Sequence, residues 1–154
     1  MMELVPASAK DLTALKDLDL KTYHYPLSDE AWKRALVDSP CVVYTLRISR
    51  THIGYMVAEP KELKLSVHRL GIVPKYRGMG GGKRLLKRVD ELAHDTSYTH
   101  LQAVIPDIHC IPNDPDNVSL WLKFQGFKAT KVLSNYFYMY GDYRDGYLFE
   151  RKVL

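Results

Sequence analysis

The chain has 154 residues, 46% of them apolar and 26% charged, enough to bury one sizeable core without disulfides or metal, and disorder is excluded. Lys and Arg number 22 against 18 acidic residues, a net charge of +4, which favours an anionic partner without choosing among nucleic acid, an acidic membrane and a phosphorylated cofactor. Cys41 and Cys110 do not form a disulfide framework, "MMELVPASAKDL" lacks a signal-peptide apolar core, and no apolar run approaches the roughly 18 residues of a membrane span, so a cytoplasmic setting is expected.

"MELVP" reads as a short strand, and "SAKDLTALKDLDLKTY" sets Leu12, Leu15, Leu18 and Leu20 on a mostly helical spacing behind Ser8 as a cap. "LSDEAWKRALV" reads as a second helix, capped by Ser28, with Asp29 and Glu30 in the first turn where the helix dipole favours acids; it ends near Pro40. "CVVYTLRI", "HIGYMVAE" and "LKLSVHRLGIV" follow as strands, the first two joined by the polar turn "SRT" as an antiparallel hairpin. After "YRGMGGGKRLL", the stripe Leu85, Leu86, Val89, Leu92 and Ala93 predicts a helix of roughly 13 residues. "HLQAVI" is a strand, "PDIHCIPNDPD" a Pro/Asp loop, "NVSLWLKFQ" a short helix, and "GFKATKVL" and "YLFERKVL" are closing strands. The order is β-α-α-β-β-β-α-β-α-β-β, without a repeat or linker, which predicts one domain over residues 1–154.

The glycine run poses the functional question. A strand ending at Val73, a turn at Pro74 and a glycine-rich loop opening a helix aim several unpaired N–H groups at one point, and without Cβ atoms a phosphate can touch that backbone. Two familiar phosphate loops do not fit. A Walker A loop needs glycine where Arg77 stands and Ser or Thr where Arg84 stands, and a dinucleotide fingerprint needs a G-x-G-x-x-G spacing at the first strand of a βαβ unit.

"GIVPKYRGMGGGKRLL" resembles motif A of the GNAT superfamily of acetyl-CoA-dependent N-acetyltransferases, [Q/R]-x-x-G-x-[G/A], met here by Arg77, Gly80 and Gly82. The likeness extends to the element order and to "SLWLKFQGF", which matches the family's helix and its strand entry at Gly126 and Phe127. The resemblance implies an α/β (α+β) GNAT fold, a mixed central sheet of about seven strands with four helices, in which the fourth and fifth strands splay apart. It further implies that the backbone of Arg77, Gly78, Met79, Gly80, Gly81, Gly82 and Lys83 holds the pyrophosphate of acetyl-CoA, and that the main chain of Leu70 and Ile72 pairs with the pantetheine arm. Asn117 stands where the family often places a cofactor-contacting Asn; as a helix N-cap it has a purely structural reading too.

Attack on a thioester requires a neutral amine and a donor for the developing oxyanion. Neutrality at pH 7 costs about 1 kcal/mol for an α-amine and about 4 to 5 kcal/mol for a lysine, so a weak base suffices for an N-terminus. His68 is the candidate base: it precedes Arg77 by nine residues, and strand parity puts it on one face with Ser66 and Leu70. The serotonin N-acetyltransferase branch of the superfamily carries a histidine at the corresponding position. Ser66 stands where many relatives carry Glu, His or Tyr, and Leu122 stands at the usual general-acid tyrosine, with Trp121 beside it read as core. A thiolate of pKa near 8.5 leaves without much help.

"TYHYPLSDEAW" resembles the "FP-x-S" entry to the second helix in protein N-terminal acetyltransferases and in the bacterial enzymes that acetylate ribosomal-protein N-termini, and "SNYFYMYGDYRDGYLF" resembles their "NYY" turn. By that likeness Tyr25, Pro26, Leu27, Tyr136 and Tyr138 line the acceptor pocket, with Phe137 replacing a second tyrosine; "YFYMY" also reads as an ordinary strand. The proline-rich loop after the fifth strand is more like that of small-molecule acetyltransferases, so both a peptide N-terminus and a small amine stand as acceptors. No metal is expected, because two prolines break the segment holding Asp107, His109, Cys110 and Asp114. The remaining readings are an acetyl-CoA-binding module without turnover and a basic nucleic-acid-binding domain, the latter lacking any recognition motif. The expected partners are therefore the amine acceptor, with neither nucleic acid nor membrane, and a monomer or homodimer.

Overall fold

The computed structural model describes every residue except His24, Ser39 and 111–117. One sheet runs β1 (Met2–Pro6), β2 (Val42–Ile48), β3 (Thr51–Lys61), β4 (Lys64–Ile72), β5 (His100–Pro106), β7 (Asp142–Lys152), β6 (Lys128–Met139) across its width. All neighbours are antiparallel except β4 and β5. The helices are α1 (Leu12–Thr22), α2 (Asp29–Lys33, continued by a π turn to Asp38), α3 (Gly81–Asp95) and α4 (Val118–Phe124). Element order, strand number and helix number match the sequence expectation.

The helices divide between the two faces of the sheet. On one face Leu15, Leu18 and Trp32 pack on Val43, Tyr55 and Val57; on the other, Leu85, Leu86, Val89 and Ala93 of α3 pack on Leu46, Met56, Leu65 and Leu101. The stripe on α3 is the predicted one, and in α1 the stripe stops short, since Leu20 is exposed. Ser28 caps α2 by accepting from Ala31 N–H at 3.1 Å. The first helix is preceded by a single 3₁₀ turn in which the Ser8 N–H donates to the Asp11 carboxylate at 2.9 Å.

Pairing between β4 and β5 is confined to Lys64, Leu65 and Ser66 against His100, Leu101 and Gln102. Beyond that point the strands diverge, as expected, and the β4 edge from Val67 onward has no strand beside it. The largest departure lies at the C-terminal end. Residues 134–139 continue β6 as a strand instead of forming the expected "NYY" turn, and β7 begins at Asp142, five residues ahead of the expected Tyr147. A tight turn at Tyr140 and Gly141, both at positive φ, joins the two strands.

Candidate active site

Where β4 and β5 part, a cavity of about 360 Å³ opens on the α1–α2 face of the sheet. His68 on β4 and Val104 on β5 form its floor, and Tyr25, Pro26 and Leu27 between α1 and α2 form one wall. Tyr136 and Tyr138 of β6 form the other wall together with Phe137. Every residue predicted for the acceptor wall thus meets the predicted base in one cavity.

The register of β4 corrects the parity argument at Leu70. Across the β3–β4 ladder Glu59 pairs with Ser66 and Met56 pairs with Leu70, and residues 56 and 59 lie on opposite faces of a strand. Ser66 and Leu70 therefore do not share a face. The register shift leaves His68 as the additional residue between Val67 and Arg69, a β-bulge after which Arg69 faces the same side as His68 and Leu70 the opposite one. His68 Nε2 lies 3.2 Å from Glu59 Oε1. Burial pushes the His68 pKa below the ordinary histidine value, against the opposing pull of Glu59. At neutral pH the imidazole is uncharged.

Behind the wall lies a buried polar network. Arg69, next to His68, donates from Nε to Asp19 Oδ1 at 3.1 Å and from Nη2 to the Tyr25 carbonyl at 2.6 Å. Its guanidinium lies over the rings of Tyr23 and Tyr25, at 4.4 and 4.7 Å from their centroids. Asp19 also accepts from the Tyr55 hydroxyl and from Leu27 N–H, the latter at 2.7 Å. These contacts tie the wall segment 25–27 to α1, β3 and β4. The sequence reading missed Glu59, Asp19 and Arg69; a charged residue inside an apolar strand pattern was the available signal for Arg69.

On β6 the register slips between Leu133 and Phe137, and Asn135, at positive φ, has its N–H bonded to Asp145 Oδ1 at 3.0 Å. The slip brings Phe137 to 5.5 Å from the Tyr25 ring and 4.9 Å from the Tyr136 ring. Opposite them Gly146 has no room for a Cβ, which would lie 2.6 Å from Val104 Cγ1.

The glycine loop does two jobs. Gly78 and Gly80 have φ of 81° and 85°, left-handed values that side chains rarely adopt, and a Cβ on either would meet nothing within 4 Å. Gly81 is buried where a Cβ would lie 3.0 Å from both Ile72 Cδ1 and Leu46 Cδ2, so it seats the start of α3 against the sheet. With Gly80 as N-cap, α3 has no side-chain cap hydrogen bond among the described residues, and the loop from Arg77 to Gly80 is exposed. That backbone fits an anion such as a pyrophosphate. Arg77 turns back to donate from Nε to the Ile72 carbonyl at 2.9 Å. Met79 and Lys83 are exposed beside the loop, and Gly82 lies near Trp121, which is half-buried instead of fully core.

The β4 edge expected to take the pantetheine arm carries a contact that the sequence did not suggest. Tyr23 Oη accepts from Leu70 N–H and donates to the Leu70 carbonyl, both at 3.1 Å. Asn117 lies outside the described residues. Leu122 is buried in the core, so no phenol stands at that position. Cys110 has its thiol pushed up to about 11 by burial, so it is protonated at neutral pH. Among the described residues no three His, Cys, Asp or Glu side chains converge as a metal site, and no helix is long and apolar enough to cross a membrane.

Comparison with known proteins agrees with this geometry. No curated protein matches the chain. Among solved structures, the ribosomal-protein-S18-alanine N-acetyltransferase of Escherichia coli superposes with a TM-score of 0.81 at 13% identity, covering 99% of this chain and 94% of that one. Arabidopsis thaliana NAA60 in complex with acetyl-CoA gives 0.84 at 16% identity, covering 99% of each chain. Arabidopsis thaliana Naa50, in complex with the bisubstrate analogue CoA-Ac-MVNAL, gives 0.77 at 22% identity over 97% of each. These likenesses establish the fold. The model of the acetyltransferase (GNAT) family matches residues 11–127, from the start of α1 through the glycine loop to the entry of β6. With that match over most of its length, the chain belongs to the GNAT family of acetyltransferases, whose acyl donor is acetyl-CoA.

Proposed function

We propose that the chain transfers the acetyl group of acetyl-CoA to the α-amine of a peptide or protein N-terminus, in one complex containing both substrates. One observation carries the choice of acceptor: the half-buried base His68 faces a cavity walled by Tyr25, Pro26 and Leu27 on one side and by Tyr136, Phe137 and Tyr138 on the other. Two aromatic walls over a basic floor suit a flexible first residue whose nitrogen must reach the base. That solved N-terminal acetyltransferases share this architecture supports the reading.

Within this reading the backbone from Arg77 to Lys83 holds the pyrophosphate, with Gly78, Gly80 and the uncapped start of α3 aiming N–H groups outward. Leu70 and Ile72 contribute main-chain groups along the β4 edge once Tyr23 releases Leu70 and Arg77 releases the Ile72 carbonyl. Acetyl-CoA, when bound, supplies an acetyl thioester as electrophile. His68, uncharged at neutral pH, accepts a proton from the acceptor ammonium. For an α-amine that removes an obstacle of about 1 kcal/mol, within reach of a weak base. Tyr25 is held by Arg69, so the wall is set before the acceptor arrives.

The test is to incubate the protein with acetyl-CoA and matched amines, namely lysine-containing peptides with free and blocked N-termini, amino acids and polyamines, and to read products by mass spectrometry. Acetylation of free N-termini alone is the expected result. Products only among small amines would overturn the peptide acceptor and leave an amine acetyltransferase. Acetyl-CoA binding without any product would leave a binding module.

A further inference from the structure

His68 has a carboxylate partner. Glu59 Oε1 is 3.2 Å from His68 Nε2, both side chains line the acceptor cavity, and both are half-buried. The backbone explains the meeting. Glu59 pairs with Ser66, so the two share a face, and His68, two residues further along β4, lies on that same face. Glu59 Oε2 in turn accepts from the Cys41 thiol at 3.6 Å, so the carboxylate is held at both oxygens.

Which atom of His68 is the base then follows from elementary hydrogen-bond chemistry. Burial raises the Glu59 pKa, but the His68 and Cys41 hydrogen bonds and nearby positive charge outweigh it, leaving it below the ordinary value and the group ionised at neutral pH. An ionised carboxylate only accepts, so Nε2 must carry the hydrogen. The lone pair of the neutral ring is then on Nδ1, an atom without a hydrogen-bond partner among the described residues.

We infer that Glu59 is the positioning residue of His68: it fixes the Nε2–H tautomer, presents Nδ1 as the proton acceptor, and faces the imidazolium with a negative charge once the proton has arrived. The tautomer stands on the contact between Nε2 and the Glu59 carboxylate and needs no substrate, whereas its use in catalysis rests on the acetyl-transfer reading above. In the step itself an N–H bond of the acceptor ammonium breaks, the proton bonds to Nδ1, and the electron pair left on the amine nitrogen becomes available to the acetyl carbon. The imidazolium afterwards releases the proton to solvent.

Other groups bear on the same ring and set the sign of the test. Lys61 on β3 and Arg69 on β4 disfavour the imidazolium, while Glu59 favours it. Cys41 before β2, Arg34 on α2 and the phenols of Tyr25, Tyr136 and Tyr138 complete the cavity's titratable lining. Replacing Glu59 by Gln removes the one favouring charge and keeps a carbonyl that can accept from Nε2–H. The His68 midpoint should therefore fall further.

The experiment is ¹⁵N NMR of the histidine rings in the full chain without ligand, for wild type and Glu59→Gln, beside pH profiles of kcat/KM for an accepted amine. Expected are the Nε2–H tautomer in wild type, a lower His68 midpoint in Glu59→Gln, and an acid limb of kcat/KM that moves down with it. At pH 7 kcat should drop about 10-fold or more with KM for acetyl-CoA unchanged, a modest share of what a positioned base contributes. An Nδ1–H tautomer in wild type, or a midpoint that stays or rises in Glu59→Gln, would overturn the inference. Because the NMR arm needs neither substrate, a protein that acetylates nothing defeats the function and leaves the pair to be judged on the spectra.

Discussion

Single side chains carry most of the chemistry. Removing the base in His68→Ala should lower kcat/KM about 100-fold at pH 7 and leave acetyl-CoA affinity intact, with the loss shrinking as the pH approaches the acceptor's own pKa of about 8. Isothermal titration and steady-state rates separate the two effects. Because burial depresses the His68 pKa, the acid limb of kcat/KM should lie below about 6.5. The sign for stability is the same: the folded chain disfavours the imidazolium, so this group's contribution is present above about pH 6.5 and is lost as the pH falls toward the folded pKa. Asp19 is the opposite kind of residue, fully buried and bonded to Arg69, Tyr55 and Leu27. Asp19→Ala would strand the Arg69 charge, and urea unfolding should show a loss of about 3–5 kcal/mol.

At the scale of elements, two irregular strands build the site. The bulge in β4 sets Arg69 on the same side as His68, and the slip in β6 lays Phe137 on Tyr25. Gly146→Val should test the second: its Cβ would press on Val104 and Phe137, costing about 1–3 kcal/mol and raising KM for the acceptor more than for acetyl-CoA. The glycine loop separates in the same way. Gly78→Asp puts a carboxylate in open space at a φ that Asp tolerates, and should weaken acetyl-CoA binding about 10-fold or more with little change in Tm, whereas Gly81→Ala should lower Tm because it meets Ile72 and Leu46. The amphipathic stripe of α3, the hairpin of β2 and β3 and the glycine-rich loop that opens α3 were legible because each is a local pattern. The bulge was not, since period-two reading carries parity straight through an inserted residue, which is how Ser66 and Leu70 were put on one face. The extension of β6 was hidden for a related reason: Asn135 and Gly141 look like turn residues, yet only Gly141 sits in the turn, and Asn135 supports a slip within the strand.

Across the whole molecule, the order of elements was enough to indicate a sheet with helices on both faces. It could not indicate that the α1–α2 segment and the β6–β7 hairpin, far apart in sequence, close on the same opening, because that depends on strand order. Placing β7 between β5 and β6 is what carries Tyr136 over the gap. The buried groups missed in the sequence, Asp19, Arg69 and Glu59, have the same origin, for the side-chain partners that fix them lie up to 50 residues away. The phenol of Tyr23 adds a thermodynamic consequence. With both main-chain groups of Leu70 bonded to Tyr23 Oη, any ligand that pairs with Leu70 along this edge must first displace a side chain of the protein itself. Tyr23→Phe would leave the N–H and carbonyl of Leu70 without Tyr23 Oη, at a cost of about 1–3 kcal/mol in the empty protein, and under the proposed pairing of acetyl-CoA with Leu70 the same amount would return as tighter binding. A thermal-shift titration should then show a lower starting Tm and a larger rise per increment of acetyl-CoA than in wild type, the two curves converging at saturation.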